Sequence, residues 1–150
     1  MWYYNEKEFE PAKFSYEDLA GFVYIVTDLN NGKKYVGKKL FWGTRKLKPL
    51  KGKTRKRISK IESDWREYFG SNEQVKMLVE NEGQKRFKRD ILHLCKAKGE
   101  MTYLEMKEQI DREVLFRDDY YNEFIGGKIH SKHLKEYKNV RIQSKDSKSG

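Results

Sequence analysis

The chain has 150 residues, one domain's worth, with 33 Lys and Arg against 23 Asp and Glu for a net charge of +10. No run approaches the roughly 20 apolar residues of a membrane-spanning helix, and the opening Met1-Trp2-Tyr3-Tyr4 lacks the basic-then-apolar layout of a signal peptide, so a cytoplasmic protein is expected. One cysteine, Cys95, excludes an internal disulfide, and three histidines leave a structural zinc site short of ligands, so any metal should be held by oxygen.

In chain order, residues 1–20 mix aromatics and acids around Pro11 and read as an arm packed on the domain. Phe22-Val23-Tyr24-Ile25-Val26-Thr27 and Lys34-Tyr35-Val36-Gly37-Lys38 then predict a β-hairpin, with Asn31-Gly32 as its two-residue turn. That turn sets Tyr24 opposite Lys39, Val26 opposite Gly37 and Asp28 opposite Tyr35. Opposed residues share a face, so Tyr24 and Tyr35 point to one side, with Gly37 opening space between them.

Residues 38–60 carry eleven Lys and Arg and no acid, leaving 22 basic against 23 acidic residues elsewhere. The excess charge sits in one segment, read here as a long basic insertion at 38–61. Such a segment can be a solvated loop, but inside a patterned domain it is what a polyphosphate backbone attracts by counterion release. The charge alone is also compatible with a module that binds nucleic acid without cutting it.

Ile61 to Phe69 predicts a short helix ended by Gly70. Ser71 and Gln74 form a capping-box pair for a second helix with Val75, Leu78 and Val79 as its stripe, stopped by Gly83. Arg86 to Cys95 predicts a third strand. Thr102 opens a third helix to about Phe116, with Tyr103, Met106, Ile110 and Val114 along one side. The tail from 127 is basic, and Gln143 to Gly150 is expected to be disordered.

The hairpin residues resemble the signature of the GIY-YIG nucleases, with Phe22-Val23-Tyr24 in the place of Gly-Ile-Tyr and Tyr35-Val36-Gly37 in that of Tyr-Ile-Gly. With Ser63-Asp64-Trp65, Tyr68-Phe69-Gly70-Ser71, Phe87 to Leu92 and Tyr121-Asn122, the ordered set is similar to the small stand-alone GIY-YIG proteins of bacteriophages and spans roughly Gly21 to Asn122, within a domain read as residues 21–126. The resemblance implies a small α/β domain of the α+β type, with a central three-stranded antiparallel sheet flanked by helices. It implies a metal-dependent endonuclease that hydrolyses DNA phosphodiester bonds with Mg²⁺ or Mn²⁺ on one glutamate. If the protein is viral, its compartment is the host cytoplasm. Whether one strand or both are cut, and whether two chains combine on the duplex, is left open by the sequence.

By the same resemblance Tyr24 helps activate the attacking water and Tyr35 stands beside it. A free tyrosine has a pKa of about 10, so Tyr24 needs a cationic neighbour to act as a base, and Lys39 is its expected partner; otherwise it is one more strand aromatic. Arg45 has the spacing of the family arginine, in competition with Arg55, Arg57 and Arg66. Tyr68 matches a later family position, or packs beside Trp65 and Phe69. Gly37, Lys38, Lys39, Arg55, Arg57 and Asn122 are candidate substrate contacts, Asn122 alternatively shaping a turn.

Glu105 is the expected metal ligand by its place in Thr102-Tyr103-Leu104-Glu105, although Thr102 and Glu105 also fit a capping box. Glu113 is second, expected near Met106 and Ile110 with Arg117 as partner, and Glu108 falls on the far side. His93 reads as a structural strand residue, His130 and His133 as solvated, and Cys95 lacks the neighbours of a nucleophile.

Overall fold

A computed structural model of the chain describes residues 1–52, 57–126 and 129–130. Its strands are β1 (Trp2–Tyr4), β2 (Lys7–Glu8), β3 (Gly21–Asp28), β4 (Lys34–Leu40), β5 (Trp42–Leu47), β6 (Arg57–Glu62), β7 (Phe87–Cys95), β8 (Phe124–Ile125) and β9 (Ile129–His130). The two α-helices are α1 (Glu73–Glu82) and α2 (Lys98–Asp111). The fold is α+β, with a five-stranded sheet in the order β2-β1-β7-β3-β4 and two-stranded sheets of β5 with β6 and β8 with β9.

The expected antiparallel trio is present as β7-β3-β4, but the sheet is larger. The N-terminal residues extend it, β1 pairing parallel to β7 and antiparallel to β2. Burying Trp2 supplies the reason, because its ring packs edge-on against Phe22 and Tyr24 at 4.9 and 5.4 Å. The Trp2 indole N–H also donates to the Trp65 carbonyl at 2.8 Å.

β3 is buried on both faces, and its alternation divides the core. Phe22, Tyr24 and Val26 join an aromatic layer with Trp2, Phe41, Trp65 and Phe87. Val23 and Ile25 join a second layer with Val36, Met101, Val114 and Leu115, covered by α2. A register break opposite Val23 and Tyr24 skips Leu92, so Leu94 and Ile91 both reach the aromatic layer despite their odd spacing.

Several local expectations change. In the hairpin Tyr24 pairs with Gly37, Val26 with Tyr35 and Phe22 with Lys39, two residues away from the expected register. Asp28 decides this: it is fully buried, accepts from both the Nε and an Nη of Arg86 at 2.8 and 2.9 Å, and accepts from the Tyr121 hydroxyl at 2.7 Å. With Asp28 anchored, its N–H bonds to the Lys33 carbonyl, and residues 29–32 form a longer connection in which Gly32 alone takes positive φ, +76°. A two-residue shift preserves strand parity, so Tyr24 and Tyr35 keep a common face.

Within the basic segment residues 42–47 and 57–62 form a β-ribbon, β5 pairing antiparallel with β6 from Trp42 opposite Glu62 to Leu47 opposite Arg57. Ile61 therefore lies in a strand, and the helix expected over Ile61 to Phe69 shrinks to a 3₁₀ turn at Trp65–Glu67. Asn72 caps α1 in place of Ser71, its Oδ1 accepting from the Val75 N–H at 3.1 Å. α2 starts at Lys98, four residues before Thr102, and ends at Asp111. Its inner face carries Met101 and Gln109, while Tyr103 and Ile110, expected inside, are exposed. The Gln143 to Gly150 tail, His133 and Arg55 lie outside the described residues.

Candidate active site

β4 is the outer strand of the sheet, and its free edge is closed only in part. Lys34 bonds to the backbone of Asp119 and Tyr121 at 2.9 and 2.7 Å, continuing the ladder with the closing segment. The Asn122 side chain makes the last rung: Oδ1 accepts from the Val36 N–H at 3.0 Å and Nδ2 donates to the Val36 carbonyl at 2.8 Å. Pairing stops there, and at Gly37 a cavity of about 710 Å³ opens along the edge, lined by Tyr24, Tyr35, Lys38, Ser71, Thr102, Glu105 and their neighbours.

Gly37 makes the cavity possible. A Cβ at that position would stand 2.5 Å from the Tyr24 hydroxyl and 3.0 Å from Tyr35 Cε1, inside contact distance of both rings. The tyrosine rings lie 6.3 Å apart, and Tyr68 meets Tyr24 edge-on at 6.0 Å. Gly70, at φ +116°, passes against the Tyr35 ring, where its own Cβ would stand 3.1 Å from Cδ1. The Tyr35 hydroxyl shares a hydrogen bond of 2.8 Å with Ser71 Oγ.

Glu105 enters from α2. Because the helix begins at Lys98, Thr102 is an interior residue and caps nothing; its hydroxyl accepts from Lys38 Nζ at 2.9 Å. The Glu105 carboxylate is thereby free of a capping role and lines the cavity, where it takes a hydrogen bond from the Lys38 backbone. Burial pushes its pKa up, and the adjacent Lys38 opposes this. Glu108, expected on the far side, is half-buried and pairs with His93 at 2.8 Å and Arg112 at 2.9 Å. Glu113 follows the helix end with φ +55°, and Arg117 pairs with Asp119 while also lying within reach of the Glu113 charge. Among the described residues Glu105 is the one of these three glutamates that lines the cavity.

The expected Lys39 partner for Tyr24 is corrected. Lys39 faces Phe22 in register, and its Nζ sits 2.5 Å from Asp64 and 4.0 Å over the Tyr68 ring. Tyr24 is instead held well above the usual tyrosine range by burial first, with Tyr68, Tyr35 and Glu105 acting in the same direction. Burial raises Tyr35 too, against the Ser71 hydrogen bond. Both shifts favour the protonated phenol.

Arg45 is exposed on β5, outside the cavity, and Arg57 holds a backbone position on β6. Arg66 is committed to Glu62 at 2.7 Å and lies over Trp65. The sequence reading passed over Arg89, which is 3% exposed in the aromatic layer. One Nη donates to the carbonyls of Arg66 and Tyr68, each at 2.9 Å, and the guanidinium stacks over Trp2 and Phe69 at 4.6 and 4.1 Å. Burial lowers its pKa to about 10. Arg89 thus fixes the segment that carries Tyr68 and Gly70. Its alternation with Phe87 and Ile91 was the available signal.

The donor set suits a hard, hydrated divalent cation. Among the described residues no group of three His, Cys, Asp or Glu could enclose a metal, and Mg²⁺ needs none, since one carboxylate with water and phosphate oxygens completes its shell.

The chain matches a family model described as "Putative endonuclease segE, GIY-YIG domain" over residues 2–125. The chain belongs to the GIY-YIG endonuclease domain family. No curated protein and no solved structure matches the chain significantly. The family match begins at Trp2, so the strand that extends the sheet lies within the matched GIY-YIG domain. Among the described residues no helix is long and apolar enough to cross a membrane.

Proposed function

We propose that the cavity at the edge of β4 is the active centre of a divalent-metal-dependent endonuclease that hydrolyses DNA phosphodiester bonds. The observation that carries this reading is the meeting of Tyr24, Tyr35 and Glu105 across Gly37, three polar groups from three elements around one cleared edge.

Glu105 would hold Mg²⁺ or Mn²⁺ through its carboxylate. Bound there, the ion would supply charge neutralisation for the pentacovalent phosphate and its leaving oxygen. The protonated Tyr24 donates a hydrogen bond to a phosphate oxygen and fixes its direction, while the proton of the attacking water leaves to solvent; a phenol with an ordinary pKa of about 10, raised further by burial, does not serve as the base near neutral pH. Tyr35, tied to Ser71, forms the second donor, and Lys38 brings positive charge to the carboxylate end. Asn122 acts through Val36, holding the edge strand in place, and is a positioning residue.

The test is conversion of supercoiled plasmid with graded Mg²⁺ and with EDTA. Nicking that follows the metal and stops with EDTA supports the reading. Salt-sensitive DNA binding with no product under Mg²⁺ or Mn²⁺ contradicts it and leaves a binding module.

A further inference from the structure

The β5–β6 ribbon springs from the strand that builds the cavity. β4 ends at Leu40, Phe41 is fully buried, and β5 starts at Trp42. The root is clamped on both sides: the Ser63 N–H donates to the Phe41 carbonyl at 2.8 Å, Ser63 Oγ to the Leu40 carbonyl at 2.6 Å, and the Trp42 indole to the Tyr16 carbonyl at 3.3 Å. Beyond it the two strands pair over six residues each, about 20 Å of ribbon. Arg45, Lys48, Lys51 and Lys60 on the ribbon and its approaches are exposed.

Register divides the basic positions. Arg45 opposes Ser59 and Leu47 opposes Arg57, so both arginine positions belong to one face with Gly43 and Ile61, while positions 46 and 60 belong to the other. The single-strand alternative lacks a stacking platform. Trp42 is the sole aromatic between 42 and 62, and its ring is taken, stacked on Tyr16 at 4.9 Å with Lys60 Nζ 4.4 Å over it. A basic two-stranded ribbon in which Arg45 stands opposite Ser59 and beside Gly43 matches the major groove of B-form DNA, which admits such a ribbon and presents guanine N7 and O6 to arginine.

We propose that the β5–β6 ribbon docks in the major groove of duplex DNA and so positions the duplex at the cavity. This rests on the reading of the cavity as a DNA-cutting centre. Because the ribbon and the wall of Tyr35 and Gly37 belong to one continuous stretch of chain, groove docking sets which phosphate reaches Glu105.

The test uses the full chain in EDTA, where nothing is cut, with a labelled duplex of about 25 base pairs and one of its strands. Wild type should bind the duplex at least about tenfold tighter than the strand and shield guanine N7 from dimethyl sulfate. Arg45→Gln with Arg57→Gln should cost the duplex at least about tenfold, abolish the shielding of guanine N7, and leave the strand nearly unchanged. Displacement by the minor-groove ligand netropsin, unshielded N7, or equal duplex binding by the double variant would each overturn the proposal. N7 shielding is read on wild type, so it stands if the variant misfolds. Shielding without metal-dependent cutting upholds the ribbon and sinks the nuclease reading; cutting without shielding does the reverse, and no DNA binding at all defeats both.

Discussion

Tyr24 and Gly37 face each other across the β3–β4 pair, and the tyrosine hydroxyl occupies the volume that a Cβ on residue 37 would need, 2.5 Å away. Gly37→Ala must therefore displace a ring that is 1% exposed and packed against Trp2, Phe22 and Tyr68. We expect a loss of about 1–3 kcal/mol in stability by denaturant unfolding. Cleavage should fall at least about tenfold even where the protein remains folded, because the displaced hydroxyl is the cavity's own donor. Wild-type stability and rate in that variant would contradict the packing described.

Tyr24→Phe separates the ring from its hydroxyl. The ring stays in the aromatic layer, so the melting temperature should change little, while cleavage falls by roughly ten- to a hundredfold through loss of a directed hydrogen bond. Since burial holds the phenol well above its usual pKa, wild-type activity should show no limb from Tyr24 between pH 6 and about 9. A limb in that range that vanishes in the Phe variant would show that the phenol titrates as a base.

How much of this site was legible in the sequence follows from what each feature depends on. The common face of Tyr24 and Tyr35 needs only strand parity, which survives a register shift of two. The register itself turns on Asp28, whose partners Arg86 and Tyr121 are 58 and 93 residues away, beyond any local turn signal. Glu105 is singled out by its place in a resembling motif and lines the cavity, although its helix starts four residues earlier than Thr102 suggests; Lys98 and Gly99 carry no strong start signal. In the basic segment the charge hid the pattern, for Ile58 and Ile61 are modest apolar content for a strand, and pairing with β5 is what organises them.

The Asp28 cluster should govern acid stability. Its carboxyl is held below the usual range by the Arg86 and Tyr121 hydrogen bonds against burial. A depressed native pKa gives stability that is present above the unfolded value, about 3.9, and is lost as pH falls through the native one. Asp28→Ala should cost about 3 kcal/mol near neutral pH by leaving the tyrosine hydroxyl and guanidinium without their buried acceptor. Equilibrium unfolding at pH 7 and pH 3 checks both points: the gap between variant and wild type should narrow in acid. A gap that holds at low pH would remove Asp28 from the account.

Glu105 has the opposite sign. Burial raises its native pKa, so the folded state is favoured while the carboxyl is protonated, and that advantage is lost as pH rises above the unfolded value of about 4.3. Glu105→Gln removes the cost of burying the charge. Thermal melts should place the variant above wild type at pH 7 to 8 and level with it near pH 4. A variant less stable than wild type at pH 8 would mean that the carboxylate serves the fold.

The most direct test of the central claim is the rate at which Glu105→Gln nicks supercoiled plasmid under saturating Mg²⁺, beside wild type. The account predicts a loss of at least about a hundredfold with DNA affinity in EDTA unchanged, because the carboxylate acts on the metal and the ribbon binds the DNA. Nicking at the wild-type rate in the Gln variant would contradict it and move the chemistry away from the edge of β4.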